Sequence, residues 1–221
     1  DITPTGSSVG TKQGFSIIKF TGSGSGTPSI PHGLSEAPTF ILQKDTEATT
    51  SWRTFLYNIS VWSIMNINNQ DGATGATETA PTSSLFYANG NGNTTNTQIA
   101  YLWHDVPGLQ KFGSFEGNAN ADGPFVELGF RPSILLVRNI DNSGTGYSWS
   151  LYDNERGPIN PNFNFLCPDS ANKENRREGD SSDKTDRHID FLSNGFKMRA
   201  DNANFNANSH TIFYAAWAEA P

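Results

Sequence analysis

The chain has 221 residues and a formal net charge of −7, from 15 basic and 22 acidic side chains. An acidic chain with no Lys/Arg stripe is a poor partner for nucleic acid or an anionic membrane, and no apolar stretch approaches the roughly 18 residues that span a bilayer. The single cysteine, Cys167, excludes an internal disulfide framework.

Taken in order, residues 1–13 form an extended lead-in with no apolar period. GFSIIKFTG predicts a first strand with Phe15, Ile17 and Lys19 on one face and Ile18 and Phe20 on the other. SIPHGL predicts a short edge strand, because Pro31 cannot donate to a ladder. APTFILQKD has strand length, and WRTFLYNISVWSIMNIN predicts two strands with a bend. NNQDGATGATETAPTSS is a loop by every local signal, and SLFYANGNGN is a strand running into an Asn-Gly turn. QIAYLWHDV is a strong strand, with Ile99, Tyr101 and Trp103 opposite Ala100, Leu102 and His104. The second half continues with KFGSFEG, PFVELGF, SILLVRNID and YSWSLYDN. Next comes a hairpin around Ser193-Asn194-Gly195, and TIFYAAWAEA is the last strand. Between YSWSLYDN and that hairpin, residues 169–188 are dense in charge of both signs and predict an exposed insertion, either solvated or a contact surface.

This order is written twice. Residues 20–57 and 115–152 share Phe-x-Gly, a small polar loop, an apolar-Gly-apolar step, a Pro, an apolar run and a Trp…Leu-Tyr close. Phe20 matches Phe115, Gly33 matches Gly129, Pro38 matches Pro132 and Tyr57 matches Tyr152. A repeat of this kind implies two copies of one module. Short strands between frequent turns set the class as all-β. The expectation is a pair of tandem antiparallel β-sandwich domains, jelly-roll-like, over 14–108 and 109–221.

Chemistry-bearing patterns are sparse. Asn118-Ala-Asn120-Ala-Asp122-Gly123 matches the first half of a Ca²⁺ loop. The twelfth position is Gly129 where a bidentate Glu belongs, so a hairpin turn is the simpler reading. His32, His104, His188 and His210 lack paired metal spacing. There is no nucleophile elbow, and Cys167 beside Pro168 reads as a small packed hydrophobe. Carboxylates occur in sets (Glu116, Asp122 and Glu127; Asp180, Asp183 and Asp186), but a glycosidase needs two at a set separation across a cleft. The expectation is a non-enzymatic chain without cofactor or metal.

Five tryptophans carry more information. Trp52 and Trp149 hold the same position in the two halves. An indole beside Ser, Thr and Asn suits stacking on a pyranose, and it suits a core at least as well, the favoured reading for Trp52 and Trp149. Trp103 and Trp217, inside closing strands, read as core, while Trp62 has no counterpart and is the best surface candidate. The expected ligand-binding set is therefore Trp62, Trp52 and Trp149 with Asn118, Asn120 and Asp122. Arg156-Gly157-Pro158 reads as a turn with a positive tip.

The phrases KFGSFEGNANADGPFVELGFRP and DFLSNGFKMR, with SVGTKQGFSIIKFTGSG and IFYAAWAEAP, resemble a domain of uncharacterised function. That domain recurs in predicted tail-fibre and other virion structural proteins of marine bacteriophages. The resemblance covers nearly the whole chain, and the 169–188 insert departs from it by being longer and more polar. It implies the C-terminal part of a longer chain, which fits a start at Asp1. It also implies exposure on a virion surface, homo-oligomerisation, other virion proteins as partners and attachment to a host-surface polysaccharide. A purely structural virion part is the alternative, and a polysaccharide-degrading enzyme is the third reading. The family offers no established catalytic residues.

Overall fold

The structure, a computed structural model, describes residues 1–56, 63–68, 74–75, 79–88, 90–144, 147–177, 179–184 and 186–219. The chain divides into two compact units, Asp1–Asn66 with Thr74–Val106, and Ile67–Ala73 with Pro107–Pro221. Among the described residues all strand ladders are antiparallel and the sheets are open.

The first unit contains β1 (Gly6–Gly10), β2 (Phe15–Thr21), β3 (Ser29–Pro31), β4 (Phe40–Asp45), β5 (Arg53–Leu56), β6 (Ser63–Asn66), β7 (Thr74–Gly75), β8 (Leu85–Tyr87) and β9 (Thr97–Trp103). One sheet has the order β1-β2-β9-β4-β5-β6-β7, and β3 pairs with β8 separately. Period-two alternation sends Ile18 and Phe20 of β2, Ala100 and Leu102 of β9, Ile41 and Phe55 inward. They join Ile30 of β3 and Phe86 of β8 in one core.

Two sequence expectations change in this unit. The lead-in supplies a strand: β1 pairs with β2 from Gly6↔Lys19 to Gly10↔Phe15. Its side chains are almost all exposed, so backbone hydrogen bonds hold it and no hydrophobic period announces it. Trp103 is half-buried on the outer face of the sheet rather than in the core, stacked on Phe15 at 4.8 Å.

The second unit contains β10 (Gln110–Glu116), β11 (Phe125–Glu127), β12 (Pro132–Asn139), β13 (Ser150–Asp153), β14 (Phe165–Leu166), β15 (Ile189–Leu192), β16 (Gly195–Met198), one helical turn α1 (Ala203–Asn206) and β17 (Thr211–Ala218). The strands form β10-β17-β12-β13-β14 and β11-β16-β15. Leu135, Val137, Tyr152, Phe165, Ile212 and Tyr214 from the larger sheet meet Val126, Ile189, Phe191, Phe196 and Met198 from the smaller one. The β15–β16 hairpin turns at Ser193-Asn194, as its sequence predicts. Trp217, like Trp103, lies outside the core, half-buried and edge-on to Phe112 at 5.5 Å. Cys167 packs in the core, and burial pushes its thiol up to about 12.

The charged insertion is only partly solvated. Lys173 and Arg176 pair with Asp183 at the surface, 2.9 and 2.8 Å away. Arg177 and Arg187, however, are buried against the core residue Phe165. A long guanidinium side chain can bury its stem and stack on a ring, which a count of charges does not reveal.

In both units a buried asparagine ties down the loop after the first long strand. Asn93 Oδ1 accepts from Ser23 N (2.8 Å), and its Nδ2 donates to Ser25 O (2.9 Å). Asn206 Oδ1 accepts from Asn118 N (3.0 Å), and its Nδ2 donates to Asn120 O (2.9 Å) and Ala200 O (2.8 Å). The chain passes each clamp at a glycine: a Cβ on Gly22 would run into Thr94 O, and one on Gly117 into Ala207 O.

Candidate functional site

A recess lies on the outer face of the larger sheet in the second unit. The register Ile134↔Asp153, Leu135↔Tyr152, Leu136↔Leu151 fixes which side chains face out. Leu135 and Tyr152 enter the core, so Ile134 and Leu151 must face away from it. A register shift between Pro132 and Ile134, where proline offers no ladder donor, bends β12 at its start. Ile134 is left 41% exposed.

The turn after β13 builds the rim. Asp153 Oδ1 accepts from Arg156 N at 2.7 Å, and Asp153 Oδ2 takes Arg156 Nε and Nη2, each at 2.6 Å. Asn154 N donates to Ser133 O at 3.0 Å, and the Ser133 hydroxyl donates to Asn154 Oδ1 at 3.2 Å. Asn162 Nδ2 and Asn164 Nδ2 hold the carbonyls of Asp153 and Arg156 at 2.9 and 2.7 Å. The result is a recess of about 460 Å³ with Ile134 and Leu151 among its lining and Ser133, Asp153, Asn154, Glu155 and Arg156 around them. Ligand sites typically occupy roughly 300–1,000 Å³, with an apolar lining and a few fixed polar groups.

Its electrostatics are settled by local pairing. Burial raises the Asp153 carboxyl, but the Arg156 amide and guanidinium outweigh that and hold it below the usual carboxylate range. Arg156 also has Glu174 at 3.8 Å, so its charge is largely spent. The carboxyl pushed the other way is Asp169, raised by burial to about 6 despite Arg138 beside it. Its side chain has no exposure, so it cannot serve as an acid at a surface cleft.

None of the described members of the expected ligand-binding set lines this recess. Trp62 falls outside the described residues. Trp52 is half-buried in the first unit, 6.2 Å from Tyr101. Trp149 is fully buried, edge-on to Phe213 at 6.0 Å and 5.9 Å from the Arg138 guanidinium. With no accessible ring face it packs rather than binds, which corrects its place in the expected ligand set. Asn118 and Asn120 spend their side-chain oxygens on the backbone amides of Asn120 (3.1 Å) and Asp122 (2.8 Å). Asp122 Oδ1 is 2.9 Å from Lys197 Nζ, and this bond is the main cause that lowers its carboxyl. The Ca²⁺-like phrase is thus a turn closed by its own side chains and a lysine. Among the described residues no group of three or more His, Cys, Asp or Glu is placed to hold a metal.

Only part of the recess had a sequence signal. Arg156-Gly157-Pro158 marked the turn, whereas the unbroken apolar run Ile134-Leu135-Leu136-Val137 carries no alternation that would single out Ile134.

The fold and recess define an all-β protein built from open antiparallel sheets, with a shallow polar-rimmed site on one sheet face. Over residues 1–221 the chain matches the family described as Domain of unknown function (DUF7483), and it belongs to that family. No curated protein and no solved structure matches it.

Proposed function

We propose that this chain is a non-enzymatic recognition domain on the surface of a phage particle, part of a tail fibre or related appendage that attaches to a host-surface polysaccharide. The observation that carries this reading is the recess at Ile134 and Leu151, where apolar side chains face outward inside a ring of fixed hydrogen-bonding groups. A sugar offers a matching surface, with apolar C–H faces edged by hydroxyls. One such site grips weakly, and several copies on one particle multiply the grip. The resemblance to virion proteins supports the setting. Against catalysis stands the carboxylate chemistry: the recess holds a lowered Asp153, and the raised Asp169 is sealed. The test is a glycan array with whole host cells beside it. Binding that Ile134→Asp removes supports the reading, and silence on both surfaces sinks it.

A purely structural virion role draws support from a different observation. Ile159 is 78% exposed and Phe163 37% exposed, on a loop held firmly from behind. Asn160 exchanges two hydrogen bonds with Phe191, each 2.9 Å, and Asn162 exchanges backbone bonds with Ile189 at 2.8 and 2.9 Å. A fixed apolar loop of this kind suits contact with a neighbouring virion protein.

At the level of fold, the same proposal takes each unit as a β-sandwich and the pair as copies of one ancestor. The strand order β2-β9-β4-β5 corresponds to β10-β17-β12-β13. Supporting it further, Asn93 and Asn206 clamp loops one repeat apart, Ser23 to Ser25 and Asn118 to Asn120. On this reading the recess at 133–156 and the insert at 169–188 belong to the second copy's own elaboration, and recognition sits there.

A further inference from the structure

The insert between β14 and β15 buries more positive charge than the fold around it neutralises. Arg177 is fully buried and Arg187 nearly so. Both guanidiniums lie 5.5 Å from the centre of the Phe165 ring, and that of Arg177 lies 5.1 Å from Phe205. Arg187 spends Nη1 and Nη2 on Asp180, at 2.9 and 3.3 Å. Arg177 Nη2 donates to Ser150 Oγ at 2.7 Å. Arg177 Nε and Nη1 and Arg187 Nε have no hydrogen-bond partner among the described residues.

Two carboxylates act on this cluster, Asp180 directly and the exposed Asp186 through Tyr152, against the three cations Arg177, Arg187 and Lys184. Asp180 is the carboxylate both arginines use, through the Arg187 side chain and the Arg177 backbone amide, and Lys184 Nζ also approaches it to 3.9 Å. Tyr152 and Cys167, which also act on Arg177, are kept neutral by burial. A buried cation with unfilled donors carries a large desolvation cost. Water would fill the donors and leave the charge, whereas a monovalent anion answers both.

We infer that Arg177 and Arg187 together hold a small inorganic anion of chloride size inside the second unit. This goes beyond the recognition reading and is independent of the recess. The anion would seat the charged insert on its sheet, so the insert's position would depend on it. The experiment is a crystal of the full chain grown with bromide replacing chloride, read by anomalous scattering. A bromine peak in contact with both guanidiniums is the expected result. Water there, or no density, with bromide in the crystallisation solution overturns the assignment. In parallel, the Tm should rise saturably by several degrees with sodium chloride against sodium gluconate at fixed ionic strength. A Tm blind to the choice of anion counts against the site. Arg177→Met should lose both the peak and the chloride dependence. If that variant fails to fold, the wild-type crystal decides alone.

Discussion

Asn206→Ala tests how the second unit holds its first loop. The Asn206 side chain is fully buried: its Oδ1 accepts from Asn118 N, and the two N–H donors of its Nδ2 are shared among Asn118 Oδ1, Asn120 O and Ala200 O. Each such bond contributes about 1 kcal/mol net, and a partner left unsatisfied in the interior costs more than one returned to water. Asn118 and Asn120 are exposed and recover water, while Ala200 is buried and does not. The expected loss is about 3 kcal/mol, large against a typical 5–15 kcal/mol but survivable. Urea unfolding followed by tryptophan fluorescence should show the midpoint fall with an unchanged slope. Asn206→Asp keeps the shape but turns the donating end into an oxygen facing two carbonyls, so it should cost at least as much as alanine. Asn93→Ala, which loses contacts to Ser23, Ser25 and Gly26, should cost a similar amount in the first unit. A loss under about 1 kcal/mol for Asn206→Ala, or a harmless Asn206→Asp, would refute the hydrogen-bond reasoning.

Gly117→Ala and Gly22→Ala should each destabilise by about 2–3 kcal/mol, because the new methyl meets a carbonyl oxygen that backbone fixes in place; thermal unfolding checks this. Asp180→Ala leaves Arg187 buried without its carboxylate and should cost about 3–5 kcal/mol, with new protease cleavage inside 169–188 read by mass spectrometry. Burial, the largest cause, holds His32 below the ordinary 6.5, and its Nδ1 accepts from Leu34 N while Nε2 faces Thr82 O at 3.1 Å. Because the folded state keeps this ring neutral, first-unit stability should be intact above pH 6.5 and fall as pH drops below it; denaturation curves from pH 8 to 5 that stay level would contradict this. Asp45 works the opposite way, since hydrogen bonds from Thr94, the Glu47 amide and Asn96 overcome burial and hold it at about 2. Its contribution is present above 3.8 and should vanish as pH falls toward 2, which acid titration monitored by circular dichroism would show.

Strand positions and facing were legible where side chains alternate. Ile18 and Phe20 against Phe15 and Ile17, and Ala100 and Leu102 against Tyr101 and Trp103, are sorted by period alone. β1 was not legible, because it belongs to the sheet through its backbone and its side chains carry no pattern. Trp149 could have been a platform or a core residue, and only the placement of Phe213 and Arg138 beside it decides. The recess was legible only at its Arg156-Gly157-Pro158 turn: β12 is buried from Leu135 to Asn139, so only the ladder register shows that Ile134 and Leu151 face out beside that turn. The buried arginines were illegible, since a run of mixed charge looks the same whether it is solvated throughout or plugged in at two points.

That last feature bears on how the insert can vary. Its exposed pairs, Lys173 and Arg176 with Asp183, are the kind whose exchange costs little. Arg177, Asp180 and Arg187 are fastened to the sheet and to one another. The segment therefore behaves as a cassette with three fixed pins, between and beyond which residues are free to change without loosening the attachment. Related chains should differ most at the unpinned positions, and a new surface chemistry could be displayed there on an unchanged mount.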